Sequence, residues 1–264
     1  MSEKFSPEQT LQFWTQQAQK YGQSPSASWS DRMVIEMEIR QIMKYLEDGD
    51  HVLDIGCANG YSTIRYVTNR KITIKGIDII PEMIANANVR LQESKMLSGR
   101  LEFSLGDITS LNEPGECYDK VIVTRVLINL GNWENQSLGI RECIRVLKQG
   151  GMLLLSEATI QGWQNLNKFR KEWGLPDIPM PTFNQYLDQE QVIRFASSDL
   201  KLIDLVNFAS TYYVGTRVLK PLLVQALGAD IDTADPNMEW NSWWAELPSF
   251  GDYGTQKLFV FKKR

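Results

Sequence analysis

The sequence contains few of the residues that support several common kinds of protein chemistry. Among its 264 residues there are one histidine, His51, and three cysteines, Cys57, Cys117 and Cys143. The wide and odd-numbered cysteine spacing indicates neither a disulfide framework nor a zinc site. No acidic cluster has metal-ligand spacing either, so we predict no metal. His51 starts an apolar run, at the sheet edge opposite the expected ligand crevice, and we interpret it as structural rather than catalytic.

An excess of positive charge and a long apolar run are also missing. The formal net charge is -4, so no global positive field attracts a nucleic acid, and we predict no nucleic-acid partner. No window approaches the ~20 apolar residues that cross a bilayer, and the first residues show no signal-peptide pattern. We therefore expect no membrane partner and a cytoplasmic location. Hydrophobic residues make up 43% of the chain, which is typical of a globular protein.

The chain alternates between short apolar runs and longer helical patterns. This alternation predicts right-handed βαβ units and a mostly parallel sheet, hence an α/β fold. We predict helices over 7–21, 31–46, 81–94, 135–147 and 189–196, and strands over 51–55, 72–78, 101–105, 120–126, 152–155, 201–208 and 256–261. The pair Gly150 and Gly151 is expected to break the chain before the fifth strand. Residues 161–187 are interpreted as an inserted helix and loop.

A small-residue loop after the first strand is the most informative stretch. A strand ending at Gly56, followed by a helix near Tyr61, presents backbone N–H groups and a helix N-terminus to a ligand. A dinucleotide-binding loop would carry glycine where Ala58 and Tyr61 stand, and the tyrosine is a strong objection to NAD or FAD. No Gly-Lys-Ser/Thr follows, so a phosphate-binding P-loop is excluded as well.

Three carboxylates stand at or near the ends of successive predicted strands: Asp54, Asp78 and Asp107. The carboxyl ends of parallel strands form the ligand crevice of open α/β sheets. Asp78 follows the glycine loop by ~20 residues, the spacing of a carboxylate that binds ribose hydroxyls. Two alternatives remain open, because Asp54 would equally well brace the loop and a helix N-cap is a competing role for Asp107.

Five segments in order resemble the motifs of class I S-adenosylmethionine-dependent methyltransferases. They are Leu53-Asp-Ile-Gly-Cys-Ala-Asn-Gly60, Gly76-Ile-Asp78 with Met83, Gly106-Asp107-Ile108, Tyr118 to Thr124, and the stretch from Arg145 through Gly150-Gly151. The resemblance covers roughly residues 50–160. It implies a Rossmann-like fold with seven strands, the last antiparallel and placed beside the fifth, and helices on both faces. It also implies S-adenosylmethionine as the cofactor.

The resemblance carries a set of cofactor-binding residues over to this sequence. They are Asp54, Gly56, Cys57, Ala58, Asn59, Gly60, Asp78, Ile79, Met83, Asp107, Ile108, Thr124 and Arg125. Ala58 departs from the family pattern, since many members have a second glycine there. Alanine is small but has less backbone freedom than glycine.

Candidate catalytic and acceptor-binding residues follow the later strands. Glu157 is the first choice for a base or orienting group, and Arg125 is expected to pair with the cofactor's carboxylate, an anionic substrate or Glu157. Tyr212 completes the catalytic set. Asn129, Tyr213, Asp252 and Tyr253 form the predicted substrate set. Local hydrogen bonding for Glu157 and packing for the tyrosines are the alternatives.

We predict one methyltransferase domain over 1–264. Its parts are N-terminal helices over 1–48, a cofactor-binding core over 49–160, and substrate-lid insertions over 161–187 and 209–254. By the same resemblance, the N-terminal residues Trp14, Tyr21 and Trp29 are expected to close over the cofactor.

The predicted reaction is O- or N-methylation of a small polar acceptor such as a glycan, a sugar or a secondary metabolite. The alternatives are a catalytically silent methyltransferase-like partner subunit and a methyltransferase acting on a peptide or protein. The sequence leaves open whether the chain forms a homodimer.

Overall fold

The protein is built on one seven-stranded sheet. The computed structural model describes residues 4–228, 230–233, 235 and 237–264. The strands are β1 (His51–Ile55), β2 (Thr73–Asp78), β3 (Arg100–Leu105), β4 (Tyr118–Thr124), β5 (Leu147–Ala158), β6 (Leu200–Val206) and β7 (Gln256–Lys263). Each overlaps a predicted strand, because each is an apolar run bounded by polar or glycine-containing turns.

The strand order is β3-β2-β1-β4-β5-β7-β6. Strands β1 to β5 pair in parallel, whereas β7 pairs antiparallel with both β5 and β6. The predicted seven-stranded Rossmann-like methyltransferase fold with an antiparallel last strand is therefore confirmed. The strand order reverses between β1 and β4, and the carboxyl ends of these two strands form the edge where ligands bind in such sheets.

Ten α-helices surround the sheet in the described residues. They are α1 (Pro7–Tyr21), α2 (Arg32–Ile42), α3 (Tyr61–Asn69), α4 (Pro81–Glu93), α5 (Trp133–Val146), α6 (Ile160–Glu172), α7 (Gln189–Ala196), α8 (Ser210–Val214), α9 (Lys220–Leu227) and α10 (Glu239–Ala245). None of them is long and apolar enough to cross a membrane. Helices on both faces of the sheet, as predicted, bury its two sides.

Alternation along the strands divides the core between two faces. Val52 and its equivalents pack with α2, α3 and the α8–α10 region, whereas Leu53 and its equivalents pack with α5 and α7. Since successive strand residues point to opposite faces, the same alternation decides which helices each polar strand residue meets. The side chains of the neighbouring residues Ser156 and Glu157 therefore lie on opposite faces of the sheet.

The predicted chain break at Gly150 and Gly151 is wrong. Strand β5 begins at Leu147 and continues through both glycines to Ala158. Gly150 adopts φ +74°, and the pairing with β4 shifts register between Tyr118 and Lys120. Glycine tolerates the positive φ that this irregularity requires, so the pair bends the strand without ending it.

Candidate active site

The loop between β1 and α3 turns sharply beneath the carboxyl edge of the sheet. Three of its residues have positive φ: Gly56 (+72°), Ala58 (+46°) and Gly60 (+73°). The backbone N–H of Gly56 donates to the Ile77 carbonyl oxygen at 2.8 Å, which ties the loop to β2. Ala58 is the residue that departs from the family pattern, and it adopts the left-handed conformation that glycine occupies more easily.

Asp78 at the end of β2 is bound to this loop. Its Oδ2 accepts the backbone N–H of Ala58 at 3.0 Å, and its Oδ1 accepts that of Ile80 at 2.9 Å. Burial raises the pKa of Asp78 to about 6, although the backbone N–H donors favour the ionised form. The carboxylate still lines the cavity described next, so it is held in a fixed orientation with part of its surface open to a ligand.

A cavity of about 610 Å³ opens at this edge of the sheet. Its volume falls within the range of small-molecule and cofactor sites. Ten of the predicted site residues line it: Gly56, Ala58, Asp78, Ile79, Met83, Asp107, Ile108, Thr124, Arg125 and Asn129. These residues come from the ends of β1, β2, β3 and β4 and from the segments that follow them, so the parallel topology brings together residues that are up to 73 positions apart in the chain.

Four predicted cofactor residues, in the loop or at the end of β1, do not line this cavity. Asp54 is buried and accepts the Thr63 hydroxyl at 2.6 Å, and burial raises its pKa to about 7. The Asn59 amide donates to the carbonyl oxygens of Gly22 and Ser24, 2.8 Å each. The other two are Cys57, whose thiol pKa burial raises well above its usual value, and Gly60, the N-cap of α3. Their contacts brace the loop from below.

Glu157 does not reach the cavity, contrary to the expectation of a catalytic base. The side chain is fully buried, and its carboxylate accepts three consecutive backbone N–H groups, from Val126 (2.8 Å), Leu127 (2.8 Å) and Ile128 (3.4 Å). Burial raises its pKa to about 8, although these donors favour the ionised form. Because both carboxylate oxygens accept backbone N–H groups, Glu157 fixes the turn after β4. These contacts match the alternative given for Glu157 in the sequence analysis, which was local hydrogen bonding.

Arg125 lines the cavity and forms an ion pair with Glu38 of α2. Glu38 was not among its predicted partners. The Glu38 side chain is 1% exposed, and its Oε1 accepts the Ser156 hydroxyl at 2.5 Å and the Gln256 amide at 3.3 Å. Arg125 itself has φ +57°, and its guanidinium lies 5.2 Å from the ring centre of Trp29. A sparsely populated backbone conformation is thus stabilised by a buried polar network.

The sequence did contain a signal for Glu38. Val34, Glu38 and Ile42 follow one another at four-residue spacing and are all buried on the same stripe of α2. A carboxylate in an apolar stripe is almost never fully buried unless it is paired. Such a position therefore predicts a cationic partner, although not which one.

The other predicted residues lie outside the cavity. Tyr212 is buried and donates to Asp31 Oδ1 at 2.8 Å, and Tyr213 accepts from Thr255 at 3.1 Å. Asp252 forms an ion pair with Lys257 at 2.6 Å. Tyr253 stacks on Phe169 at 4.8 Å. None of the described residues of 209–254 lines the cavity; α8 and α10 pack together, and α10 packs on α2.

Besides the strand ends and the glycine loop, α1 and residues 182–185 line the cavity. Trp14 of α1 and Phe183 both line the cavity, with their rings 5.7 Å apart at 79°. Asn184 and Gln185 add amide groups to the same wall. Of Trp14, Tyr21 and Trp29, which were expected to close over the cofactor, only Trp14 lines the cavity. Phe183, Asn184 and Gln185 belong to the predicted 161–187 lid but had not been singled out.

The cavity suits the chemistry of S-adenosylmethionine. Asp78 offers a carboxylate for ribose hydroxyls. Apolar surface suited to a flat base comes from Met83, Ile108 and Ile79, the last of which leaves 47% of its surface exposed. Asp107 lies beside them, its Oδ1 held at 2.8 Å by the Thr109 N–H. The donor and acceptor groups at this end therefore fit an adenosine moiety.

Comparison with known proteins shows which family the chain belongs to. A family model described as a methyltransferase domain matches residues 46–192, more than half of the chain. The 27-O-demethylrifamycin SV methyltransferase of Amycolatopsis mediterranei is 33% identical over 112 residues, which are 42% of this chain and 40% of that protein. A demethylmenaquinone methyltransferase of Leptospira interrogans is 32% identical over 118 residues, 44% of this chain and 46% of that protein. The matches thus span less than half of these curated relatives.

Solved structures share the fold over most of the chain. The magnesium protoporphyrin IX methyltransferase of Synechocystis PCC 6803, solved with S-adenosylhomocysteine, has a TM-score of 0.59 at 15% identity; the match covers 91% of this chain and 88% of that one. The N-methyltransferase NodS of Bradyrhizobium japonicum WM9, also with S-adenosylhomocysteine, has a TM-score of 0.55 at 16% identity and coverages of 95% and 98%. The chain belongs to the methyltransferase-domain family, among the class I S-adenosylmethionine-dependent methyltransferases.

Proposed function

We propose that this protein transfers the methyl group of S-adenosylmethionine to an oxygen or nitrogen atom of a small-molecule acceptor. The observation that carries the proposal is the single cavity that joins Asp78 and the glycine loop to the wall made by α1 and residues 182–185. The cofactor would occupy the first end and the acceptor the second. The names of the curated relatives support a small acceptor, because they refer to a rifamycin and to a demethylmenaquinone.

The cofactor end divides into groups with separate tasks. We assign Asp78 to the ribose hydroxyls, and Ile79, Met83 and Ile108 to the adenine. Asp107 is assigned to the adenine's exocyclic amine. Arg125 lines the cavity beside Thr124 and forms an ion pair with Glu38. We assign the Arg125 guanidinium to the carboxylate of the methionine moiety.

The acceptor end favours a compact molecule with an apolar ring face and a polar substituent. Trp14 and Phe183 present aromatic surface, and Asn129 and Asn184 present amide groups beside it. Amides and aromatic rings together suit either a sugar ring or the ring of an aromatic metabolite. We therefore propose that the polar acceptor also has an apolar face, which would pack on these aromatic rings.

The protein's contribution to the reaction is mainly positional. The sulfonium methyl is already activated, so holding the acceptor in line at ~3–3.5 Å supplies most of the advantage. Glu157 and Tyr212 do not line the cavity. We therefore assign Glu157 to positioning the turn after β4 and Tyr212 to packing, and neither to proton transfer.

Calorimetric titration with S-adenosylmethionine tests the cofactor site. We expect Asp78→Ala to weaken binding about 10- to 100-fold, the effect of losing hydrogen bonds to a charged acceptor. Asp204→Ala is the matched control, since Asp204 is an exposed carboxylate on the distant edge strand β6. Well-folded wild-type protein that does not bind the cofactor would reject the proposal.

Formation of S-adenosylhomocysteine tests the transfer step. The panel contains phenols, hydroxynaphthalenes, simple glycosides and primary amines, each incubated with the wild-type protein and S-adenosylmethionine. One solved fold neighbour is a [4+2]-cyclase, so fold alone does not decide the reaction. Cofactor binding without turnover on any class in the panel would leave the cofactor site standing and count against this acceptor assignment.

A further inference from the structure

We propose that Asn129 positions the acceptor wall by holding α1 and residues 182–185 on one side-chain oxygen. The inference rests on the proposed function, because it concerns the acceptor end of the same cavity. Asn129 Oδ1 accepts the indole N–H of Trp14 at 3.3 Å and the amide of Asn184 at 3.1 Å. Its Nδ2 donates to the Arg125 carbonyl oxygen at 2.6 Å. One side chain therefore connects three segments that surround the cavity.

The orientation of the Asn129 amide follows from its partners. Two neighbouring groups, an indole N–H and an amide NH₂, are donors, and a backbone carbonyl is an acceptor. Only one assignment of the amide oxygen and nitrogen satisfies all three contacts. Asn129 thus acts as a double acceptor toward the wall and as a donor toward the turn after β4.

The turn that carries Asn129 is held rigidly from the sheet side. Glu157 binds the backbone N–H groups of the three preceding residues, 126–128. The backbone N–H of Gln185 donates to the Ile128 carbonyl oxygen at 2.7 Å, and the Gln136 amide donates to the Gln185 carbonyl oxygen at 2.8 Å. Residues 182–185 are therefore held by a backbone hydrogen bond to this turn and by the Gln136 side chain of α5, as well as by Asn129.

Helix α1 has fewer direct ties to the turn. Its hydrogen bond to Asn129 comes from the Trp14 indole, and the same side chain packs against the buried cluster that contains Ile80 and Met83. The same helix places Phe13 against Phe183, with ring centres 4.4 Å apart. Trp14 thus touches both ends of the cavity, and its hydrogen bond to Asn129 determines where the aromatic wall stands relative to the reacting centre.

The consequence is that Asn129 controls the shape of the acceptor end without being a proton donor or base. Losing its oxygen would release Trp14 and Asn184 together, because both depend on it. The 182–185 segment would keep its backbone contacts, whereas α1 would lose its side-chain tie to the turn. Loss of the Asn129 oxygen should therefore loosen α1 more than it loosens residues 182–185.

Hydrogen exchange measured by mass spectrometry on the ligand-free full chain tests the inference. In Asn129→Leu, which removes both acceptor contacts, exchange in peptides covering 7–21 is expected to rise about tenfold, the effect of losing one to two hydrogen bonds on a local opening equilibrium. Peptides covering 182–185 should respond less, and those covering β1 and β2 should not change.

Two further variants separate this role from general destabilisation. Asn129→Asp keeps an oxygen facing Trp14 and Asn184, so exchange in 7–21 should remain near that of the wild type. Asn69→Leu is the matched control, because the amide of Asn69, an exposed residue at the end of α3, likewise donates to a carbonyl four residues earlier, that of Arg65 at 2.8 Å. It should leave α1 unchanged.

The same samples are titrated with S-adenosylmethionine. If the wild type binds the cofactor but Asn129→Leu leaves the exchange of 7–21 unchanged, the positioning role is wrong and the proposed function stands. If the wild type does not bind, the proposed function fails, and a tenfold exchange effect would support only the contact between Asn129 and α1. Equal exchange increases in the Leu and Asp variants would also overturn the inference, since the oxygen would then be irrelevant.

Discussion

The carboxylate of Glu157 accepts a 2.8 Å hydrogen bond from the backbone N–H of Leu127, 30 positions earlier in the chain. The Glu157 carboxylate thus lies behind the wall of the cavity, where it binds the backbone N–H groups of residues 126–128. Arg125 and Asn129, which flank the bound stretch, both line the cavity. The geometry of this wall therefore depends on a residue that does not touch the ligand space.

Replacing Glu157 with leucine should destabilise the protein by about 3 kcal/mol, because up to three backbone N–H groups lose their acceptor. Glu157→Gln keeps one acceptor oxygen and should cost clearly less. Urea unfolding of the two variants beside the wild type measures the difference. A leucine variant as stable as the glutamine variant would show that these hydrogen bonds contribute little.

The affinity for S-adenosylmethionine should increase as the pH rises from 5 to 7. Burial raises the pKa of Asp78 to about 6, and only its ionised form accepts hydrogen bonds with both oxygens. Calorimetry at several pH values should find this dependence reduced in Asp78→Asn and retained in Asp54→Asn. An unchanged pH profile in Asp78→Asn would assign the titration to another group.

The raised pKa of Asp78 affects folding in the opposite direction: rising pH should lower the unfolding free energy, whereas it should increase cofactor affinity. Since the folded-state pKa lies above the usual value of 3.8, protonated Asp78 favours the folded state. This contribution is complete below about pH 4 and is lost as the pH rises through 6. The unfolding free energy of the wild type should therefore fall relative to that of Asp78→Asn between pH 4 and 7.

Removing the charge of Glu38 should cost about 3 kcal/mol of unfolding free energy, because the charge of Arg125 is left in a largely buried site. The test variant is Glu38→Gln. Its control is Glu190→Gln, which breaks the exposed Glu190–Arg194 pair and should change stability by less than about 1 kcal/mol. Equal effects of the two variants would mean that burial of the Arg125 pair is energetically unimportant.

Alanine at Gly56 should destabilise the loop more than alanine at a comparable exposed glycine. A Cβ on Gly56 would stand 2.1 Å from Val126 Cγ2, in addition to the strain of φ +72°. Gly174 has φ +71° and no atom within 4 Å of its Cβ position, so Gly174→Ala reports the strain alone. We expect an extra loss of about 1–3 kcal/mol in Gly56→Ala from overlap, measured by thermal unfolding.

Tyr212→Phe should leave the affinity for S-adenosylmethionine unchanged. The phenol binds Asp31 and Asn241 in the core beside α2, away from the cavity. Its loss should lower the unfolding free energy by about 1–3 kcal/mol, since a buried carboxylate loses a donor. A selective loss of methyl transfer with normal stability would instead restore Tyr212 to the catalytic set.

The strands and the glycine loop were predictable from the sequence because their signals are local. Apolar runs such as the one ending at Gly56 give strands, and the loop after it has the residues of a tight turn. The position of Asp78 at a strand end followed from the same pattern. Gly150 shows the limit of this reasoning, since a glycine that bends a strand and one that ends it have the same local sequence.

Contacts between distant residues were not predictable in the same way. Ser156 and Glu157 are neighbours in β5, yet Ser156 binds Glu38 of α2 and Glu157 binds the turn on the opposite face of the sheet. Local sequence gives the alternation, but it does not say which helix covers each face. The predictions that Glu157 is a base and that Glu157 is one possible partner of Arg125 both required knowing which helix covers each face of the sheet.

The sequence alone therefore determined the α/β fold, the family, and the glycine loop and strand ends that line one end of the cavity, because strands and tight turns are specified by neighbouring residues. Only the tertiary structure decided that α1 and residues 182–185 line the cavity, whereas none of the described residues of 209–254 does. Which segments meet across a cavity depends on how whole helices bury their apolar faces. That is a property of the assembled core and of no single stretch of chain.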